Sequence, residues 1–167
     1  ATVTVADESN KEKQYYFKYR VIEKDRIAPT VKIVDKTKNN TETTLTDNVS
    51  NAPTIDVYRG ANIELPLKYY DNDRAGKVNI QYVSGLPSGV SFNQNASVTI
   101  KESDKTENAQ GGYTVRGHVD ANASLGITTV TLKVSDAANG DVNQGNKKEV
   151  KFRVRVLDLD FEQGVSE

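Results

Sequence analysis

Hydrophobic and polar residues alternate in short segments along most of this chain. The segments are rich in Val, Ile, Tyr and Thr, and clusters of Gly, Pro, Asn and Asp separate them. Alternation with a period of two predicts β-strands with one buried face, and the clusters predict the turns between them. No convincing helical pattern occurs, so we predict an all-β fold, either a sandwich or a barrel. The predicted strands are residues 2–6, 14–22, 30–35, 54–58, 62–70, 78–84, 90–93, 97–102, 113–119, 127–134 and 148–157.

The two ends of the chain carry nearly the same pattern. Residues 2–10 and 129–139 each combine an alternating strand with a polar Asp/Asn turn, and a second alternating strand with an acidic end follows both. Recurrence after about one domain length is typical of tandem modules. We therefore predict three parts: residues 1–26, the C-terminal hairpin of a preceding module or added strands; residues 27–160, a complete module; and residues 161–167, a tail.

The N-terminal hairpin cannot be a stable unit alone, because two strands do not bury a core. Tyr15, Tyr16, Phe17 and Tyr19 carry a large apolar area, and leaving it in water costs about 25 cal/mol per Å². We therefore expect residues 1–26 to dock on the main sandwich or to pair with another chain. Fraying is the remaining alternative.

Composition narrows the class of protein. The chain has 167 residues, of which 36% are hydrophobic and 27% charged, with a net charge of -1 and no cysteine. Lys and Arg form no basic stripe, so nucleic acid is not an expected partner. No apolar run approaches the roughly 18 residues that cross a membrane, so we expect no direct membrane insertion. The absence of Met and of a visible signal peptide indicates a mature or excised fragment.

The most specific string in the chain is Gly85-Leu-Pro-Ser-Gly-Val-Ser-Phe92. Its glycines allow backbone angles that other residues avoid, and its proline stiffens the bend, so the string predicts a tight corner. With the joint at residues 27–31 and the strand-turn pattern at residues 131–140, it resembles cadherin-like and Ig-like modules of Gram-positive surface adhesins of the serine-rich-repeat glycoprotein type. The resemblance implies an Ig-like/cadherin-like β-sandwich, here with an extra N-terminal β-hairpin. It also implies a secreted protein on the bacterial cell wall or cell surface. Its implied partners are a host extracellular-matrix protein or cell-surface glycan, and neighbouring modules of the same chain.

One motif of this group is missing. Some relatives bind sialoglycans through a hydrophobic-Thr-Arg motif on the strand before the last, where the Arg pairs with the sugar carboxylate. The matching stretch here is Val130-Thr131-Leu132-Lys133, with Leu132 in the place of the Arg. This departure argues against sialic-acid recognition. The nearest match to the motif is Tyr113-Thr114-Val115-Arg116, one strand earlier. The alternative is that Arg116 is a solvated strand residue.

Binding on such folds usually lies in long loops. Polar stretches at residues 36–53, 102–112 and 136–148 predict loops, the first with room for one short strand. Paired tyrosines at a strand end stack on sugars and anchor protein contacts, although they are also ordinary strand residues. The predicted ligand-binding residues are Tyr69, Tyr70, Asp71, Asn72, Asp73, Arg74, Arg116 and His118.

Acidic loop residues suggest a calcium site. Asp71 and Asp73 follow one predicted strand, and Asp136 and Asp141 follow another. Calcium takes six to eight oxygen ligands from such loops, and cadherin-like modules often use it to stiffen a joint. If the two loops share one end of the sandwich, these four carboxylates form the predicted calcium site. The alternative is that they are solvated turn residues, and no other cofactor is expected.

Catalysis is not expected. His118 is the only histidine, and no nucleophile motif lies near it. The leading hypothesis is a non-enzymatic module of a cell-wall-anchored adhesin that binds a host protein or glycan through its loops. The first alternative is a structural stalk or spacer repeat that presents another binding domain. A more distant alternative is a calcium-rigidified joint between modules with a role in self-association.

Overall fold

The computed structural model describes residues 2–19, 21, 27–71, 76–92, 96–100 and 113–159. Within these residues the chain forms twelve strands and two short 3₁₀ turns, Lys36–Lys38 and Val49–Asn51. No described helix is long and apolar enough to cross a membrane. The strands are β1 (Thr2–Ala6), β2 (Glu12–Tyr16), β3 (Thr30–Asp35), β4 (Thr41–Thr44), β5 (Thr54–Tyr58), β6 (Asn62–Tyr70), β7 (Gly76–Ser84), β8 (Val90–Ser91), β9 (Ala96–Ile100), β10 (Tyr113–His118), β11 (Gly126–Ser135) and β12 (Lys147–Leu157).

Strands β3 to β12 form two five-stranded sheets. The first sheet has the order β4-β3-β6-β10-β8, and the second has the order β5-β12-β11-β7-β9. Their neighbouring strands are antiparallel except for β5 and β12, which run parallel from Thr54 opposite Arg153 to Tyr58 opposite Leu157. Strands β1 and β2 form a separate antiparallel pair.

The core lies between the two large sheets. In β12, Val150, Phe152, Val154 and Val156 are buried, and the residues between them face outward. The same alternation turns side chains of β3, β6 and β10 toward those of β5, β7, β11 and β12. One hydrophobic cluster therefore contains residues from both sheets, and the predicted all-β sandwich is confirmed.

The glycine-containing string forms the predicted tight corner after β7. Gly85 and Gly89 have φ of +99° and +86°, in the region that favours glycine. A Cβ at Gly85 would lie 1.9 Å from the carbonyl oxygen of Thr129, and one at Gly89 would lie 1.9 Å from that of His118. The Thr128 hydroxyl donates to the Gly85 carbonyl at 2.8 Å. The corner therefore packs against neighbouring strands at a distance that excludes any side chain.

The N-terminal hairpin forms, but its apolar residues stay exposed. We call residues 2–19 the ribbon; it contains β1, β2 and the three residues that follow. Strand β2 ends at Tyr16, earlier than the predicted residue 22. Every ribbon side chain is exposed, so docking on the main sandwich is not seen in the described residues. Pairing with another chain stays a prediction, and residues 20, 22–26 and 160–167 lie outside the described residues.

Candidate functional site

Asp71 and Asp136 lie at the end of the sandwich where residues 27–29 lead into β3. Asp71 follows β6, which ends beside the start of β3, and Asp136 follows β11, which ends beside the start of β12. Lys148 of β12 is half-buried and interacts electrostatically with Asp47 and Asp71. Burial is the larger influence and lowers the pKa of Lys148, whereas the two carboxylates act in the opposite direction.

Asp136 closes the loop between β11 and β12. Its backbone N–H donates to the carbonyl oxygen of Asn146 at 3.2 Å. Its carboxylate accepts from the backbone N–H of Asn146 at 2.8 Å and from the side-chain amide of the same residue at 2.6 Å. A Cβ at Gly145 would lie 2.2 Å from the same carboxylate. Both oxygens of Asp136 therefore have partners within the loop, and the residue holds the loop shut.

Asp141 shapes a turn inside this loop. Its carboxylate accepts from the backbone N–H of Asn143 at 2.8 Å and from the Asn143 side chain at 3.2 Å. The Asp71 side chain is buried, at 3% exposure, and Asp73 lies outside the described residues. The described part of the chain holds no group of three or more His, Cys, Asp or Glu residues that could bind a metal. The calcium site stays a prediction.

The predicted tyrosine pair does not form an exposed stacking surface. Tyr69 is fully buried in the core, and Tyr70 is 7% exposed, with its ring 5.7 Å from the Lys32 Nζ atom. Aromatic stacking on a sugar needs an open ring face, which neither ring has in this fold. The predicted binding residues Asn72, Asp73 and Arg74 lie outside the described residues.

Arg116 and His118 lie on the outer face of the first sheet, away from Asp71. The Arg116 guanidinium donates to the Glu64 carboxylate at 3.0 Å, and the Lys36 Nζ atom lies 2.9 Å from the other oxygen of Glu64. The hydrogen bonds from Lys36 and then Arg116 hold the pKa of Glu64 below its usual value. The His118 Nδ1 atom lies 3.0 Å from the Asn62 Oδ1 atom. Both are cross-strand pairs between β10 and β6, and both remain exposed.

The described residues line two surface cavities on the second sheet, and the predicted ligand-binding residues are not among those that line them. The larger, about 500 Å³, lies at the end of β12 and is lined by Tyr58, Leu157, Asp158 and Leu159. The smaller, about 240 Å³, lies beside the β11–β12 loop and is lined by Lys133, Val142, Asn143, Lys147, Lys148 and Glu149.

The ribbon repeats the closure of the β11–β12 loop. Asp7 follows β1 as Asp136 follows β11, and the Asp7 N–H donates to the carbonyl of Lys11 at 3.2 Å. The Asp7 carboxylate accepts from the N–H of the same lysine at 3.0 Å. Asn146 supplies the same pair of contacts to Asp136. The hydrogen bonds from Lys11 and Ser9 lower the pKa of Asp7. The shared Asp was visible in the sequence, but the shared contacts were not.

The ribbon also repeats the strand register. With Asp7 aligned on Asp136, the pairing of Val3 with Tyr15 corresponds to that of Leu132 with Val150. All five pairs between β1 and β2 have a counterpart between β11 and β12 in this alignment. The two hairpins therefore share register and loop closure, although their loops differ in length.

The two hairpins differ in the burial of their inward residues. The inward residues of β12 are fully buried in the core, whereas the residues at the same places in the ribbon are half-exposed or more. The ribbon thus has the inward face of a core hairpin, and within the part of the chain that the structure describes this face stays exposed. The equivalent residues are Tyr15, Phe17 and Tyr19 in the ribbon, at 51%, 51% and 70% exposure, and Val150, Phe152 and Val154 in β12, each at 0%.

The sequence matches no protein-family model and no curated protein.

Proposed function

We propose that this chain is a non-enzymatic, Ig-like/cadherin-like β-sandwich module from a tandem array in a bacterial cell-wall-anchored adhesin. The observation that carries the proposal is the ribbon, which reproduces the register and the aspartate closure of β11 and β12. Recurrence of one supersecondary unit at about one domain length is typical of tandem modules. Such arrays extend a binding site away from the surface that carries them.

The path of the chain through the sandwich supports an extended array. Strand β3 starts beside the end of β6, whereas β12 ends beside the end of β5. Only Arg59 to Ala61 separates β5 from β6, so the end of β5 lies beside the start of β6. The chain therefore enters the sandwich at the end where β6 finishes and leaves it at the opposite end, where β6 starts. Modules linked in this way follow one another in a line instead of folding back.

For the adhesive role we propose a host matrix protein or cell-surface glycan as the ligand. Arg116 and His118 support it, because they are exposed on one face of β10 and both bear polar groups. Binding of the whole chain to a matrix-protein and glycan array tests this role. Binding should weaken in Arg116→Ala and His118→Ala, and should persist in Lys77→Ala, which removes an exposed cation from the other sheet.

A structural spacer is the second candidate, and the buried tyrosines favour it. Tyr69 and Tyr70 contribute to packing, and Asp136 and Asp141 make hydrogen bonds within their own loop. These residues therefore have structural roles without a ligand. A chain that binds nothing on the array, from a gene with many near-identical copies of the module, would support the spacer. Binding by one divergent copy would support the adhesin.

A further inference from the structure

The ribbon has larger inward residues than the hairpin that it resembles. Tyr15 takes the place of Val150 and, by continuation along the chain, Tyr19 takes the place of Val154. Both valines are completely buried, in an interior that is packed as densely as an organic crystal. Two tyrosines at these places would overfill the core and displace neighbouring side chains. The ribbon is therefore a poor substitute for β11 and β12 in this module.

The inward face of the ribbon is mostly apolar, and its one cation, Lys13, lies 5.4 Å from the Tyr15 ring. Val3 lies across from Tyr15, and the rings of Phe17 and Tyr19 are 6.3 Å apart. The three rings are 51%, 51% and 70% exposed, which corresponds to about 350 Å² at 150–250 Å² per ring. Val3 and Val5 enlarge the face at 47% and 53% exposure. Its area thus matches the largest apolar patches on monomeric proteins, about 300–600 Å², which often mark interfaces.

We propose that the ribbon is the closing hairpin of a preceding β-sandwich in the same polypeptide, and that the core of this sandwich differs from the core of residues 27–159. The inference rests on the proposed tandem arrangement and names the partner of the ribbon. The preceding sandwich presents smaller side chains opposite Tyr15 and Tyr19 than this module presents opposite Val150 and Val154, because both cores reach the same packing density.

The area and the chain connection argue for this occupant. The β12 residues equivalent to the ribbon rings are fully buried in their own sandwich, so a sandwich that lacks its last hairpin offers a matching area. A module on the same polypeptide is also present at a far higher effective concentration than a free partner. The difference in side-chain size has a consequence for folding: neighbouring modules do not exchange hairpins, because each hairpin overfills or underfills the other core.

Hydrogen exchange of the ribbon amides tests the proposal. We compare the 167-residue chain with the natural polypeptide extended upstream by one module. In the shorter chain the β1–β2 amides should exchange almost freely, because a lone hairpin is marginal. In the extended polypeptide their protection should rise by roughly 1,000-fold or more, as for a core strand. The amides of β11 and β12 should not change between the two and serve as the internal reference.

Neighbouring tyrosines provide matched variants in the extended polypeptide. Tyr15 lies on the inward face, and Tyr16 lies on the outward face at the position of Lys151. Tyr15→Glu should lower ribbon protection by roughly 100-fold, because it places a charge in the preceding core. Tyr16→Glu should lower it by less than roughly 5-fold, since surface substitutions are nearly neutral. Equal effects of the two variants would overturn the assignment of the inward face.

Four other outcomes overturn the proposal. They are strong ribbon protection in the monomeric 167-residue chain, protection that grows with dimerisation and so identifies a second copy as the occupant, no protection in the extended polypeptide, and a natural polypeptide without a sandwich-length segment upstream. Failure of the adhesive function is a separate result. A chain that binds no matrix protein or glycan, with a ribbon that is protected in the extended polypeptide, removes the ligand and leaves the hairpin assignment intact.

Discussion

Replacing Gly85 by alanine should destabilise the sandwich far more than replacing Gly60. Both glycines have positive φ, +99° and +71°, so both substitutions force alanine into an unfavourable backbone conformation. The two positions differ in the room that they leave for a side chain. A Cβ at Gly85 would lie 1.9 Å from the Thr129 carbonyl oxygen, whereas one at Gly60 would meet nothing within 4 Å. The pair therefore separates the cost of the backbone conformation from the cost of the steric clash.

The expected magnitudes follow from these two contributions. A left-handed conformation costs a non-glycine residue about 1–2 kcal/mol, and the reduced freedom of the unfolded chain returns about 0.4–1 kcal/mol. Gly60→Ala should therefore lose about 1 kcal/mol. Gly85→Ala adds an overpacking cost of about 1–3 kcal/mol. A main-chain carbonyl cannot rotate away as a side chain can, so the clash is not relieved. The total loss of stability in Gly85→Ala should therefore reach about 2–4 kcal/mol.

Urea unfolding followed by far-UV circular dichroism measures the difference. With a slope of about 1–3 kcal/mol per M, the midpoint of Gly85→Ala should fall about 1 M below that of Gly60→Ala at an unchanged slope. A ribbon that unfolds separately appears as an early phase, so only the main transition is compared. Equal midpoints for the two variants, or a lower midpoint for Gly60→Ala, would refute the steric account of the corner.

Three further predictions use unfolding or amide hydrogen exchange. Phe152→Ala should cost about 3–5 kcal/mol because its ring is fully buried, whereas Phe17→Ala should shift the main transition very little, because its ring is half-exposed; similar losses would contradict the exposure of the ribbon. Asp136→Ala should cost about 1–3 kcal/mol of stability, because the Asn146 N–H loses its acceptor. The β11–β12 loop should then open more often, and the Asn146 amide should exchange faster. Unchanged exchange of this amide would argue against the closure. Asp56 has a pKa below the ordinary 3.8, first because Arg155 donates to it. Its contribution is therefore complete above this pH and is lost as pH falls through the depressed value. Below pH 4, the free energy of unfolding should fall less steeply with pH in Arg155→Gln than in the unmodified chain. An identical pH dependence in the two proteins would show that the Asp56–Arg155 pair does not contribute to acid sensitivity.

Alternation was enough to predict most of the fold. The inward residues of β12 repeat every second position from Val150 to Val156, and all four are buried. A period of two fixes which residues share a face, because successive strand side chains point to opposite sides. The glycine string predicted its corner for a similar reason, since few conformations suit Gly85 and Gly89 in such a short segment. In both cases the deciding interactions are local in sequence.

The candidate binding residues were harder to predict, because their surroundings come from distant strands. Tyr69 and Tyr70 are adjacent, so alternation predicts that one of them faces outward, yet both are buried. Tyr70 is covered beside Lys32 of β3, a neighbour that only the sheet order supplies. The pairing of Arg116 with Glu64 joins residues 52 positions apart and depends on the register of β10 and β6. No local pattern carries that information.

The position of β12 suits the proposed array. This strand is the last described element, and it lies between β5 and β11 with five parallel and ten antiparallel residue pairs. Tension along an array would act between the start of β3 and the end of β12, which lie at opposite ends of the sandwich. It would therefore load the hydrogen bonds on both sides of β12 in shear, and many bonds must then break together. The bidentate pair of Arg155 with Asp56, at 2.8 and 2.7 Å, ties β12 to β5 across the same boundary. An adhesin and a spacer would both need this resistance to tension, so the proposed row of modules is compatible with either role. Binding to the matrix-protein and glycan array decides between them.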